Sequence, residues 1–269
     1  MREIRSFETD DGTCLNVDSA GEGAPAVFLH GLCGDAGQTA EAFPAQSGFR
    51  RVTIEARGHG RSQAGPLERL SMATFADDVA RCIERTLDAP VILGGISMGA
   101  AIAVRLAVRR PDLVRALVLA RPAWLTASAP PTMAANAEVG RLLARMPPEA
   151  ARAAFLAGAT GRHLAAEAPD NLASLEGFFA REPVAVTAAL LTAISGDGPG
   201  VADADLARIA VPTLLIGHGR DVIHPIAYAR ALADRIPAAR FVEITAKAQS
   251  RAQYIADFHH AMRTFLKDL

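Results

Sequence analysis

Short apolar runs alternate with stretches of helical period along most of this chain. The segments 24–31 (APAVFLHG), 50–58 (RRVTIEARG), 90–97 (PVILGGIS) and 114–122 (VRALVLARP) are brief, rich in Val, Ile and Leu, and bounded by Gly or Pro. Apolar runs without strict alternation suit strands covered on both faces. Between them, 73–88 (ATFADDVARCIERTLD) and 98–111 (MGAAIAVRLAVRRP) repeat their apolar positions at helical spacing. The rhythm resumes with a strand at 211–217, a helix at 225–236, a strand at 239–245 and a last helix from about 252. Ahead of all these, IRSFET and CLNVDS flank the turn Asp10-Asp11-Gly12 and predict an antiparallel hairpin. Alternating strands and helices predict an α/β fold, a mostly parallel sheet with helices on both faces.

Between 123 and 207 that alternation stops. The stretch is Ala-rich and helical in period, broken at APPT, MPPE, EAPDN, REP and SGDGPG. An excursion that leaves the sheet at one strand and rejoins it at the next reads as a helical cap. The expected division is therefore a core of 1–122 and 208–269 with a cap of 123–207. No internal repeat or low-complexity linker interrupts it.

Composition narrows the partners. A formal net charge of −1 over 269 residues gives no basic footprint for nucleic acid. The apolar stretches are broken by arginine, as in AAIAVRLAVRR, and none reaches the ~18–20 residues a bilayer span needs. The opening MREIRSFETDDG holds no apolar h-region, so no secretory signal is expected there. Three scattered cysteines, Cys14, Cys33 and Cys82, suit reduced thiols in a cytoplasm better than a disulfide scaffold or a zinc site. A small-molecule substrate, with neither nucleic acid nor membrane as partner, is the expectation.

The strongest chemical signal is Gly95-Ile96-Ser97-Met98-Gly99, a G-x-S-x-G between a buried strand and a helix. A serine on such a sharp turn needs neighbours without a β-carbon, because the backbones on either side come close. The turn lifts the hydroxyl above the carboxyl ends of the strands, where open α/β sheets bind ligands. The first amides of the following helix point at the same place. A second element, FLHGLCGD at 28–35, is a strand running into His-Gly-x-x-Gly. Acyl transfer needs two N–H donors for the developing oxyanion, and losing one costs roughly 3–4 kcal/mol. The amides of Met98 and Leu32 are the natural pair. His30 is expected to pin its loop, and Cys33 to be small packing. Third, Asp221 lies just past the strand 211–217, with His224-Pro225 opening the next helix. A carboxylate there can orient an imidazole, or cap the helix; the two roles are compatible.

These motifs together resemble the α/β-hydrolase fold superfamily over essentially the whole chain: His30-Gly31, EARGHGRS at 55–62, the serine motif, and Asp221 after it in order. The resemblance implies an eight-stranded sheet with its second strand antiparallel and a cap after the sixth strand. It further implies Ser97 as nucleophile and no cofactor, with His59 structural.

One element departs from the family pattern. The base usually lies in the loop after the last strand, often as Gly-His; here Ala248-Gln249 falls there, and glutamine takes no proton from serine. His259 and His260 lie down the last helix, away from the site or toward solvent. His224 stands three residues past Asp221 at a helix start, where its side chain is expected to diverge. His163 in the cap and Lys247 in the last loop are further candidates, a desolvated lysine being able to act as a base. No residue is assigned as base. The leading function is a serine hydrolase of small esters or thioesters, with Ser97 and Asp221 catalytic and the Leu32 and Met98 amides as oxyanion hole. The alternative is a slow or inactive relative that binds a small apolar ligand under the cap. A purely structural protein fits less well with three motifs kept. The apolar make-up of FLAGATG, LASLEGFFA and VAVTAALLTAI predicts an apolar pocket.

Overall fold

The computed structural model describes residues 2–269 and contains one eight-stranded sheet in the order β1-β2-β4-β3-β5-β6-β7-β8. The hairpin β1 (Arg2–Glu8) and β2 (Cys14–Ala20) is antiparallel, and β2 also pairs antiparallel with β4 (Phe49–Ile54). The strands β3 (Ala24–Leu29), β5 (Val91–Ile96), β6 (Val114–Ala120), β7 (Thr213–Gly217) and β8 (Ala239–Glu243) join β4 in parallel. Every residue of β5 and β7 is buried, whereas the edge strand β1 is exposed at all but one position. That contrast explains why the central strands read as unbroken apolar runs.

Side chains alternate between two apolar layers. Ala26, Phe28, Ile92, Ile96, Ala116 and Val118 face one layer, completed by Tyr254, Phe258, Met262 and Phe265 of α11 (Arg251–Leu266). Val27, Leu29, Leu93, Leu117 and Leu119 face the other, with α2 (Met72–Thr86) and α3 (Met98–Arg109). The stripe Tyr254, Phe258, Met262, Phe265 is the one that projecting the last helix at 100° per residue yields. A short helix, α1 (Ala36–Ala42), follows β3; its N-cap Asp35 accepts the amides of Gly37 and Gln38. Sequence periodicity gives no warning of so short an element.

Between β6 and β7 the chain forms α4 (Ala134–Leu143), α5 (Pro148–Ala157), α6 (Ala159–Glu167), α7 (Pro169–Phe178), α8 (Val184–Ser195) and α9 (Asp203–Leu206). Pro148 and Pro169 each sit in the first turn of their helix, where the missing N–H costs nothing. Val139, Leu143, Phe155, Leu190, Leu191 and Ile194 are buried in the same layer as α2 and α3. The next helix, α10 (Ile226–Arg235), covers β7 and β8 on that side through Leu232. Among the described residues, no helix is long and apolar enough to cross a membrane.

Candidate active site

Four non-glycine residues with left-handed backbone sit just past strand ends: Cys33 (φ 59°) after β3, Ser97 (φ 55°) after β5, Arg121 (φ 45°) after β6 and Arg220 (φ 56°) after β7. All four lie at the carboxyl edge of the sheet. Such strain, of order 1–3 kcal/mol per residue, clusters where a fold holds a site in place. At Ser97 (φ 55°, ψ −110°) the chain turns from β5 directly into α3. The flanking glycines are required by contact: a Cβ on Gly95 would lie 2.6 Å from the Leu29 carbonyl oxygen, and one on Gly99 would lie 2.5 Å from that same oxygen. Ser97 N–H donates to the Ala120 carbonyl (3.0 Å), tying the turn to β6.

The loop after β3 packs against this turn. A Cβ on Gly31 would stand 3.5 Å from the Ser97 Cβ, so the Gly31–Leu32 backbone runs beside the serine. Among the described residues, neither the Leu32 amide nor that of Met98, the first residue of α3, has an acceptor. The loop is held from behind. His30 donates from Nδ1 to the Gly31 carbonyl (2.8 Å) and accepts the Ala56 amide at Nε2 (3.0 Å). Gln38 Oε1 accepts the Gly31 amide (2.7 Å), and Glu55 accepts the amides of Ala36 (2.8 Å) and Arg61 (2.7 Å). Burial lowers the pKa of His30 and pushes that of His59 well below its usual value, so both stay neutral. Their rings pack tilted by 38°, with centroids 4.7 Å apart. Burial likewise pushes the Cys33 thiol up to about 12, away from reactivity at neutral pH.

The imidazole missing from the last loop is supplied by His224. Its Nε2 lies 3.0 Å from Ser97 Oγ, and its Nδ1 lies 3.0 Å from both carboxylate oxygens of Asp221. The divergence expected three residues past an acid does not occur, because Asp221 Oδ1 also accepts the His224 backbone amide (2.9 Å). That bond closes a tight turn and brings the ring back over its own carboxylate; α10 begins only at Ile226 with Pro225 as its N-cap, so Asp221 orients the imidazole and does not cap the helix. The turn is braced from the helical excursion. Asn171 of α7 donates to Asp221 Oδ1 (3.0 Å) and accepts the Val222 amide (2.8 Å).

Arg121 completes the cluster, donating to Asp221 Oδ2 from Nη2 (2.6 Å) and Nε (3.1 Å). Its Nη2 also lies 3.1 Å from His224 Nδ1. Burial pushes the Asp221 pKa up, but His224 and Arg121 outweigh it and hold the carboxylate well below its usual range. The His224 pKa is lowered, first by burial and also by Arg121, against the opposing pull of Asp221. Nothing in the sequence pointed to Arg121. The available signal was an arginine directly after an apolar strand segment, 116–120, that ends at the sheet's carboxyl edge.

The other candidates fall away from the serine. Gln249 and His163 are exposed, as is His260, and His259 Nε2 donates to the Glu41 carbonyl (2.8 Å). Lys247 stays near, on the wall of the cavity beside Ser97.

That cavity measures about 160 Å³ and is lined by Leu32 and Ile96 from the core and by Met133, Leu175 and Phe178 from the excursion. Gln38, Arg121, Asn136, Asn171, Ser174 and Lys247 line it as well, so its wall is mixed rather than apolar. The apolar run 184–194 had suggested otherwise. Its largest members, Leu190, Leu191 and Ile194, are spent inside the helical layer, and the polar edges of α4 and α7 face the serine instead.

A strained serine between strand and helix, at the carboxyl edge of an eight-stranded, mostly parallel sheet, defines the α/β hydrolases. The chain belongs to that superfamily: the model of the family described as serine aminopeptidase, S33, matches residues 24–262. BpoC of Mycobacterium tuberculosis, which carries the provisional name non-heme bromoperoxidase, is 33% identical over 240 residues, covering 86% of this chain and 88% of that one. A protein provisionally named non-heme haloperoxidase from Mycobacterium phage D29 is 37% identical over 115 residues, 40% of each chain. Among solved structures, the esterase EaEST from Exiguobacterium antarcticum superposes with a TM-score of 0.76 over 98% of this chain and all of that one, at 23% identity.

Proposed function

We propose that this protein is a serine hydrolase of small ester or thioester substrates, with Ser97 as nucleophile and His224 as its base. The observation that carries this reading is the chain of contacts Ser97 Oγ–His224 Nε2–Asp221, each link at 3.0 Å. A hydroxyl becomes a nucleophile when a positioned base removes its proton as the bond forms. In the reaction, His224 Nε2 takes the Ser97 proton while Oγ attacks the carbonyl carbon. The carbonyl electron pair moves to oxygen, where the free amides of Leu32 and Met98 are suited to receive it. Collapse of that intermediate expels the alcohol or thiol, which leaves with the proton from His224. Water then enters by the same steps in reverse, and Ser97 recovers its proton. In the productive tautomer Asp221 accepts from Nδ1–H and stabilises the imidazolium. The excursion 123–207 acts as a cap, since α4 and α7 supply part of the cavity wall.

A slow hydrolase is favoured over a fast one by the Arg121 contact. A guanidinium donates hydrogen bonds and cannot accept them, so Arg121 beside Nδ1 favours the tautomer whose proton sits on Nε2. In that tautomer Nε2 faces Ser97 as a donor and cannot act as base. A wrong tautomer at this position costs about 10⁴ in turnover in the best-studied triad.

The test is a stopped-flow burst with a 4-nitrophenyl ester. One equivalent of nitrophenol per chain, lost in Ser97→Ala, is the expected result. Release that is unchanged in Ser97→Ala would remove the hydrolase reading.

A further inference from the structure

We propose that the preferred substrate of this site carries a carboxylate, recognised by the ammonium of Lys247; this rests on the hydrolase reading above. The cavity beside Ser97 is walled by two cationic side chains, Lys247 and Arg121, and by no carboxylate. The two cations are not equivalent. Arg121 is committed to Asp221, whereas among the described residues Lys247 has neither an ion-pair partner nor a hydrogen bond. A lysine on a solvated loop normally needs no explanation. This one is half-buried and forms part of the wall, where an entering anion would be its first charged partner.

A further observation points to a charged ligand. Gln38, Ile96, Arg121 and Lys247 also line an adjoining cavity, whose one carboxylate, Glu41, is paired with Arg251. Lys247 therefore stands where the two spaces meet, with room for a short charged arm beyond the reacting carbonyl. Monoesters or monothioesters of short dicarboxylic acids have that shape.

The test compares mono(4-nitrophenyl) glutarate with its uncharged isostere, 4-nitrophenyl pentanoate, on the full chain and on Lys247→Met. The expected kcat/KM ratio favours the glutarate by tenfold or more. In Lys247→Met that ratio falls at least tenfold, through KM, and in the unaltered protein it declines as salt is raised. A ratio at or below one, or one unchanged by the substitution, overturns the carboxylate assignment while leaving the hydrolase intact. If neither ester is turned over by Ser97, the hydrolase reading fails instead. Anion recognition is then read from monomethyl glutarate, which must raise the melting midpoint of the unaltered protein and not that of Lys247→Met. No rise in either overturns it.

Discussion

Two groups compete for one nitrogen at the residue scale. His224 Nδ1 has Asp221 at 3.0 Å, which accepts its proton, and Arg121 Nη2 at 3.1 Å, which presents a proton of its own. The pH profile should register the contest. Only the neutral imidazole takes the Ser97 proton, so activity rises with pH through the His224 pKa. Burial and Arg121 lower that pKa, which puts the acid limb below the usual histidine value near 6.5. In Arg121→Met the lowering from the cation is gone while the Asp221 contact stays. The limb is expected to move to higher pH, with plateau activity raised because the productive tautomer gains. A limb that stays in place would show that Arg121 does not act on His224.

At the scale of elements, the sequence was informative wherever covalent geometry leaves few options. Gly95 and Gly99 are legible because any Cβ there meets the backbone of Leu29 or its surroundings. The buried strands are legible because both faces are covered, and α11 because its stripe has one period. The pairing of His224 with Asp221 was not legible. An Asp-x-x-His spacing at a helix start is compatible with a diverging or a converging ring, and what decides is the backbone bond from His224 N to Asp221 Oδ1. That bond in turn depends on Asn171, which lies fifty residues away and holds the Val222 amide. No local pattern encodes such a brace. Cavity polarity was misread for a similar reason. The composition of a helix reports what it buries on average, and the few residues on its edge decide what a substrate meets.

For the whole molecule, buried histidines set the acid side of stability. His30, His59, His218 and His224 all have pKa values lowered, in each case first by burial. An unfolded chain takes up protons on these rings below about pH 6.5. The folded chain takes them up only at lower pH, so their contribution is complete above pH ~6.5 and is lost as pH falls. Asp221 and Asp11, both held below the usual carboxylate range, add to the loss at lower pH, whereas Asp78, raised by burial, opposes it. The melting midpoint should therefore decline steadily from pH 7 to pH 5, by about 2–4 °C per kcal/mol at this size. His59→Gln should flatten the decline; a midpoint that is level or rises over this range would contradict neutral buried rings.

The central claim is that His224 activates Ser97 from a loop other than the one its family uses. It is tested most directly by the second-order rate at which a fluorophosphonate labels Ser97, measured by mass spectrometry in the unaltered protein, His224→Ala and Lys247→Ala. Losing the base of a serine triad costs about 10⁶ in turnover, so labelling in His224→Ala should fall by several orders of magnitude and that in Lys247→Ala by far less. Equal labelling of Ser97 with and without the imidazole would contradict the account.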